Sequence, residues 1–232
     1  MLPFPIKASG ITHLTDARYF AAWYVDYVGF PLDGPEAITG PELAAMRGWI
    51  EGPKVLAELT ELDVPLPNLM DGLFQYGLLS GPTAIHGLQF LVSEPTDGLL
   101  EGIPPAEVQN QITAHELETW FDIPVAHYQA ADDLEEILNI WSPHANGIVL
   151  NLTAGGIGLD DLMNGYGTSV EQANRWAQKL PLYLDLPISA ADLDAWQAQF
   201  EHVGLLLRGG EEEKVGVKSF EELDDIFEAL VD

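Results

Sequence analysis

Three short stretches of this chain hold residue types able to handle an anion or a proton. Arg208-Gly209-Gly210 follows the apolar run ending at Leu207, and Gly155, Gly156 and Gly158 follow the apolar run ending at Leu152. Glycines let backbone amides approach an anion, and arginine grips phosphate or carboxylate through two parallel N–H bonds. The same glycines also suit tight turns at strand ends, which leaves Arg208 as the stronger indicator. Asp185 closes a third apolar run, where its carboxylate would oppose an anion. His86 and His127 lie near strand ends as acid–base candidates, although a lone histidine is more often a hydrogen-bonded structural residue. Glu58, His127 and Asp185 are of metal-ligating type, but their spacing has no metal signature, so no metal is expected. The chain has no cysteine, which removes thiolate ligands and disulfides. No cofactor is expected.

These residues can act together only if the strands that precede them end on one side. Short apolar runs bounded by Gly and Pro alternate with longer unbroken segments, a strand and helix alternation. Strands are expected over 5–9, 25–30, 54–59, 87–93, 123–128, 147–152, 182–186 and 203–207. Helices are expected over 13–23, 41–51, 69–79, 114–121, 132–141, 169–179, 190–200 and 219–230. Crossovers of that length imply parallel pairing, in a closed barrel or an open doubly wound sheet. Eight strands in 232 residues favour a single (β/α)8 TIM barrel spanning residues 1–232. The segment 96–112, with Gly98, Gly102, Pro104 and Pro105, reads as an insertion or an extra strand. In such a barrel Ser9, Phe30, Glu58, Ser93, Tyr128, Asn151, Asp185 and Arg208, each just after a strand, would share one rim. The six tryptophans all fall in segments that read as helical, where packing is their expected role.

The opening Ile6-Lys7-Ala8-Ser9-Gly10-Ile11-Thr12, with Asp26-Tyr27-Val28-Gly29-Phe30, resembles the first βαβ unit of the phosphoribosylanthranilate isomerase family. Gly40-Pro41-Glu42, Gly87-Leu88-Gln89-Phe90, Ile148-Val149-Leu150-Asn151 with its glycine loop, and Leu207-Arg208-Gly209-Gly210 are similar to later motifs of that family, in the same order. The resemblance implies a barrel isomerase performing an Amadori rearrangement, with Ser9 at the family's catalytic base position and Asn151 at its acid position. A serine hydroxyl holds its proton too tightly to act as an unassisted base, and an asparagine has no transferable proton. The family's phosphate loop corresponds to Asp185-Leu186-Pro187, and its anthranilate-binding element to Leu32 through Ala37, which has no cation. The expected function is therefore an isomerase-like barrel of tryptophan-biosynthesis type with its native activity lost or redirected. The alternative is a non-catalytic barrel that binds a small ligand or a protein. A small phosphorylated or carboxylated molecule is the expected partner, at Gly155, Gly156, Gly158, Asp185, Arg208, Gly209 and Gly210.

Acidic residues number 37 against 9 basic ones, a formal net charge of −28. Nucleic acids and anionic membranes need a basic footprint, so neither is an expected partner. The charge fits a chain kept soluble at high salt and, equally, an ordinary solvated surface. No apolar run approaches the length of a membrane span, and a cytoplasmic monomer or homodimer is expected.

Overall fold

Strand β1 (Ile6–Ser9) pairs in parallel with β2 (Tyr27–Pro31) on one side and with β8 (Gly204–Arg208) on the other, which closes the sheet. The computed structural model describes residues 2–60, 66–92, 106–209, 212–214 and 217–231. Between these strands run β3 (Lys54–Leu59), β4 (Gly87–Leu91), β5 (Glu118–Pro124), β6 (Gly147–Asn151) and β7 (Leu182–Asp185), each parallel to its neighbours. The result is a single (β/α)8 TIM barrel. The crossover helices are α1 (Leu14–Ala22), α2 (Gly40–Arg47), α3 (Leu66–Gln75), α4 (Ala106–Ala114), α5 (Ala131–Trp141), α6 (Leu159–Met163), α7 (Val170–Ala177) and α8 (Leu193–Gln199). A short antiparallel pair, β9 (Glu212–Lys214) and β10 (Val217–Lys218), precedes the last helix α9 (Glu221–Val231). Among the described residues, no helix is long and apolar enough to cross a membrane.

Local sequence explains where the helices start. Thr39 and Glu42 form a reciprocal capping box at α2, with Pro41 in its first turn. Ser169 accepts the Gln172 amide at 3.0 Å to cap α7, and α5 opens with Asp132 and Asp133 at the positive end of its dipole.

Two apolar layers hold the barrel. Outside it, strand residues such as Ile6, Ala8, Phe30, Phe90, Phe121 and Leu150 share one buried core with helix residues including Phe20, Trp141, Trp176 and Phe227. Inside, Tyr27, Leu56, Trp120, Val149, Tyr183 and Leu206 form a separate buried plug in the amino-terminal half. The Trp120 ring lies 4.7 Å from Tyr27 and 5.7 Å from Tyr183. Its bulk fits because residue 147 on the neighbouring strand is Gly, where a Cβ would come within 2.4 Å of the indole. Full burial of each large apolar side chain contributes about 1.5–3 kcal/mol, which offsets the polar burial above the plug.

The helix α6 and the pair β9 and β10 are additions to the sequence expectation, and one stretch contradicts it. Residues 114–121 were expected to be helical, with a strand over 123–128; instead α4 covers Ala106–Ala114 and β5 covers Glu118–Pro124. Helix α4 begins at Ala106, and Glu116, at φ 54, turns the chain out of it. The run Leu117 to Ile123 then supplies the β-branched and aromatic residues that suit a strand. Trp120 accordingly lies on a strand inside the barrel and not on a helix, and Trp49 is 69% exposed on the surface of this chain. Residues 96–105 of the expected insertion lie outside the described residues.

Candidate functional site

Above the plug the inward positions change from apolar to charged. Side chains alternate along a strand, so the residue two places after each plug residue faces inward too. These are Glu58 after Leu56, Asp122 after Trp120, Asn151 after Val149, Asp185 after Tyr183 and Arg208 after Leu206. Lys7 and Ser9 alternate with the outward Ile6 and Ala8, and Gln89 with Leu88 and Phe90. Lys7 is fully buried, and Ser9, Glu58, Gln89 and Asp185 are nearly so.

Glu58 is the centre of the network. Its Oε1 accepts from Lys7 Nζ at 2.5 Å and also from the Ser9 hydroxyl, while its Oε2 accepts the Gly10 amide at 2.9 Å. Lys7 donates to Ser9 as well. Burial alone would raise the Glu58 carboxyl, but the Lys7 charge and the bonds from Lys7, Ser9 and Gly10 hold it below the usual carboxylate range.

Asp122 behaves in the opposite way. Burial first, and then the neighbouring Asp185 and Glu58 carboxylates, push it up to about 7 against the pull of Lys7 and Arg208. Gln89 Nε2 lies 3.5 Å from Asp122 Oδ2. Gln89 Oε1 and Asp122 Oδ1 are sealed from solvent without a hydrogen-bond partner.

At the rim, Arg208 is ion-paired with the buried Asp185, whose Oδ1 also accepts from Thr153 Oγ1 at 3.1 Å. Partial desolvation pulls the half-exposed guanidinium down, but the Asp185 carboxylate holds it above the ordinary arginine range. After β6 the chain makes a single 3-10 turn over Thr153–Gly155, and Asn151 Oδ1 accepts the Ala154 amide at 2.9 Å. The amides of Gly155 and Gly156 donate to Leu152 and Thr153 carbonyls at 3.0 Å each, and the Gly158 amide donates to Asp161 Oδ2 at 3.1 Å. A cavity of about 580 Å³ lies between these strand ends and α9, lined in part by Asp185, Pro187, Arg208, Glu221 and Glu222. A second, of about 530 Å³, touches Ser9, His13, Glu36, Glu42, Arg208 and Gly209.

Ser9, Asn151, Asp185 and Arg208 thus all stand at the carboxyl ends of their strands. Ser9 is in register with Arg208, and Asn151 with Asp185, while β7 and β8 separate the strands of Ser9 and Asn151. Gly155, Gly156 and Gly158 lie in the loop after β6, and Gly209 lines both cavities. Gly210 and Ser93 lie outside the described residues. Phe30 faces the outer core, and Tyr128 is 93% exposed beyond the end of β5. His86 is at the opposite, amino-terminal end of β4, accepting the Val55 amide on Nδ1 at 2.9 Å, and His127 is exposed beside Tyr166. Among the described residues, no group of three or more His, Cys, Asp or Glu could hold a metal.

Sequence reasoning missed Lys7, Gln89 and Asp122 as site residues. Alternation from Ser9 points to Lys7, but Asp122 was concealed because β5 was placed five residues too late.

The fold and these inward residues define a (β/α)8 barrel with its candidate site at the carboxyl ends of the strands. The same fold occurs in phosphoribosylanthranilate isomerase from Thermus thermophilus, at 18% identity and TM-score 0.64, covering 98% of each chain. It occurs in the Pyrococcus furiosus N-(5'-phosphoribosyl)anthranilate isomerase at 11% identity and TM-score 0.67, with the same coverage. A 3-keto-L-gulonate-6-phosphate decarboxylase from Vibrio cholerae is similar over 100% of this chain and 98% of that one, at 12% identity and TM-score 0.55. No protein-family model matches the sequence, and no curated protein matches it. Identities this low bear on the fold alone.

Proposed function

We propose that this chain is a divergent barrel of the phosphoribosylanthranilate isomerase type in which proton-transfer chemistry has moved to Asp122, so that the native Amadori reaction is lost or redirected to another small substrate. The observation supporting this reading is a carboxyl group inside the barrel, pushed up to about 7, at the end where barrel enzymes place their chemistry. A group titrating near the working pH exchanges its proton both ways, and one such role is worth roughly a hundred- to ten-thousand-fold in rate.

The old positions do not supply that group. Ser9 donates its hydroxyl to Glu58, which is held ionised, and Asn151 is committed to the Ala154 amide. In this reading Lys7 and Glu58 are positioning residues that fix the local field. Buried charges of this kind cost stability that an apolar barrel interior would not, which favours a retained activity over a merely structural role. Neighbours that include both isomerases and a decarboxylase agree that the fold leaves the reaction open. The net charge of −28 supports a partner that is neither nucleic acid nor an anionic membrane.

Two measurements test the reading. Expression in a tryptophan auxotroph that lacks the isomerase is expected to give no rescue although the protein is soluble. Purified protein in heavy water is expected to incorporate deuterium next to the carbonyl of some member of a panel of aldoses and ketoses, with incorporation lost in Asp122→Asn. Full rescue, or exchange indifferent to Asp122→Asn, overturns it.

A further inference from the structure

We infer that the barrel interior takes a small unphosphorylated sugar or amino sugar, for which ribitol and glucamine are non-reacting analogues, seated by hydrogen bonds that its hydroxyl or ammonium groups donate to Gln89 Oε1 and Asp122 Oδ1. The inference rests on the reading of Asp122 given above and names the substrate class of that same site.

Acceptors are what the site has to spare. Gln89 is 4% exposed and points inward from β4 with its Nε2 3.5 Å from Asp122 Oδ2, and its carbonyl oxygen is unpartnered, as is the other carboxylate oxygen of Asp122. Buried polar atoms without partners are uncommon and costly, so acceptors left open on two side chains in contact mark a place for a donor. Glu58 is already occupied, with both oxygens accepting from Lys7, Ser9 and Gly10. A sugar hydroxyl or an ammonium group supplies the donors that Gln89 and Asp122 lack.

Among the described residues a phosphate has no comparable place. Both cations at the site are ion-paired, Lys7 with Glu58 and Arg208 with Asp185. The amides of Gly155, Gly156 and Gly158 are engaged within their own loop. The rim cavities add Glu36, Glu42, Glu221 and Glu222 to the lining, so a dianion would meet carboxylates from several sides.

The test is calorimetric titration of the whole protein with ribitol, glucamine, ribitol 5-phosphate and inorganic phosphate at one fixed salt concentration. Ribitol or glucamine is expected to bind, and ribitol 5-phosphate to bind more weakly than ribitol. Gln89→Leu, which keeps shape but removes the acceptor, is expected to weaken binding about tenfold. Gln89→Glu, which keeps an acceptor, is expected to retain glucamine. Tighter binding of the phosphate ester, or no heat from ribitol and glucamine up to about 10 mM, overturns the inference. Carboxyl NMR of Asp122 is followed in the same samples: titration of Asp122 in the ordinary carboxylate range sinks the proton-transfer reading, whereas a ligand preference for the phosphate ester sinks only the substrate class.

Discussion

Gly29 of β2 and Glu58 of β3 fit together because residue 29 has no side chain: a Cβ there would lie 1.8 Å from Glu58 Oε1. The missing methyl is the space through which Glu58 reaches Lys7 and Ser9 on β1. Gly29→Ala is therefore expected to push Glu58 out of the network and destabilise the fold by about 3–5 kcal/mol, as breaking a buried ion pair does. Denaturant unfolding measures the loss; a change under about 0.5 kcal/mol, the scale of an ordinary surface substitution, would show that Glu58 relocates without penalty.

The Lys7 and Glu58 pair should show a strong asymmetry between single and double replacement. Lys7→Met leaves a buried carboxylate uncompensated and is expected to cost about 3–5 kcal/mol, whereas Lys7→Met with Glu58→Leu is expected to recover most of that loss. Equal destabilisation by the single and double variants contradicts the network as described.

The pH dependence of stability carries the signature of Asp122. Its folded-state value of about 7 lies above its ordinary 3.8, so between these values the native state binds more protons than the unfolded chain. Asp122 therefore contributes stability that is fully present below about pH 4 and is lost as pH rises through 7, at about 1.4 kcal/mol per unit within the window. Glu58, held below its ordinary value, contributes in the opposite sense and loses its part as pH falls. Asp122→Asn should isolate the first effect: its unfolding free energy relative to wild type is expected to climb from pH 4 to pH 7 and then level off. A flat difference across that range removes the basis for the acid–base role.

Placing the isomerase family's chemical residues at the positions that resemble them should not produce its reaction. Ser9→Cys with Asn151→Asp is expected to give at most slight isomerase activity, because the resemblance puts Asp185-Leu186-Pro187 at the position of that family's phosphate loop and positioning counts as much as proton transfer. Turnover near that of an ordinary isomerase, measured by the loss of phosphoribosylanthranilate fluorescence, contradicts this account of the rim.

Arg208 should become an anion site only when Asp185 is removed. Wild type is expected to bind phosphate negligibly at millimolar concentration. Asp185→Gly is expected to bind it, and Asp185→Gly with Arg208→Ala to lose that binding again. Strong phosphate binding by the wild type would mean that the Asp185 pairing yields to the ligand.

Local pattern was enough to read much of this molecule. Eight alternating strand and helix segments in 232 residues pointed to a parallel barrel, and the position of Ser9, Glu58, Asp185 and Arg208 at the ends of those strands put them on one rim. Composition determined the acidic balance and the absence of any thiol. Where turn residues crowd the chain, as around Pro104 and Pro105, the pattern shifted β5 by five residues and moved the inward position from Asp122 to Tyr128. The tertiary structure alone decided the state of each charged group. Lys7 and Glu58 are 51 residues apart in sequence, and Gln89 and Asp122 are 33 apart. Which carboxyl is held ionised and which is pushed up to about 7 depends on burial and on neighbours from other strands, and only closing the barrel brings those neighbours together.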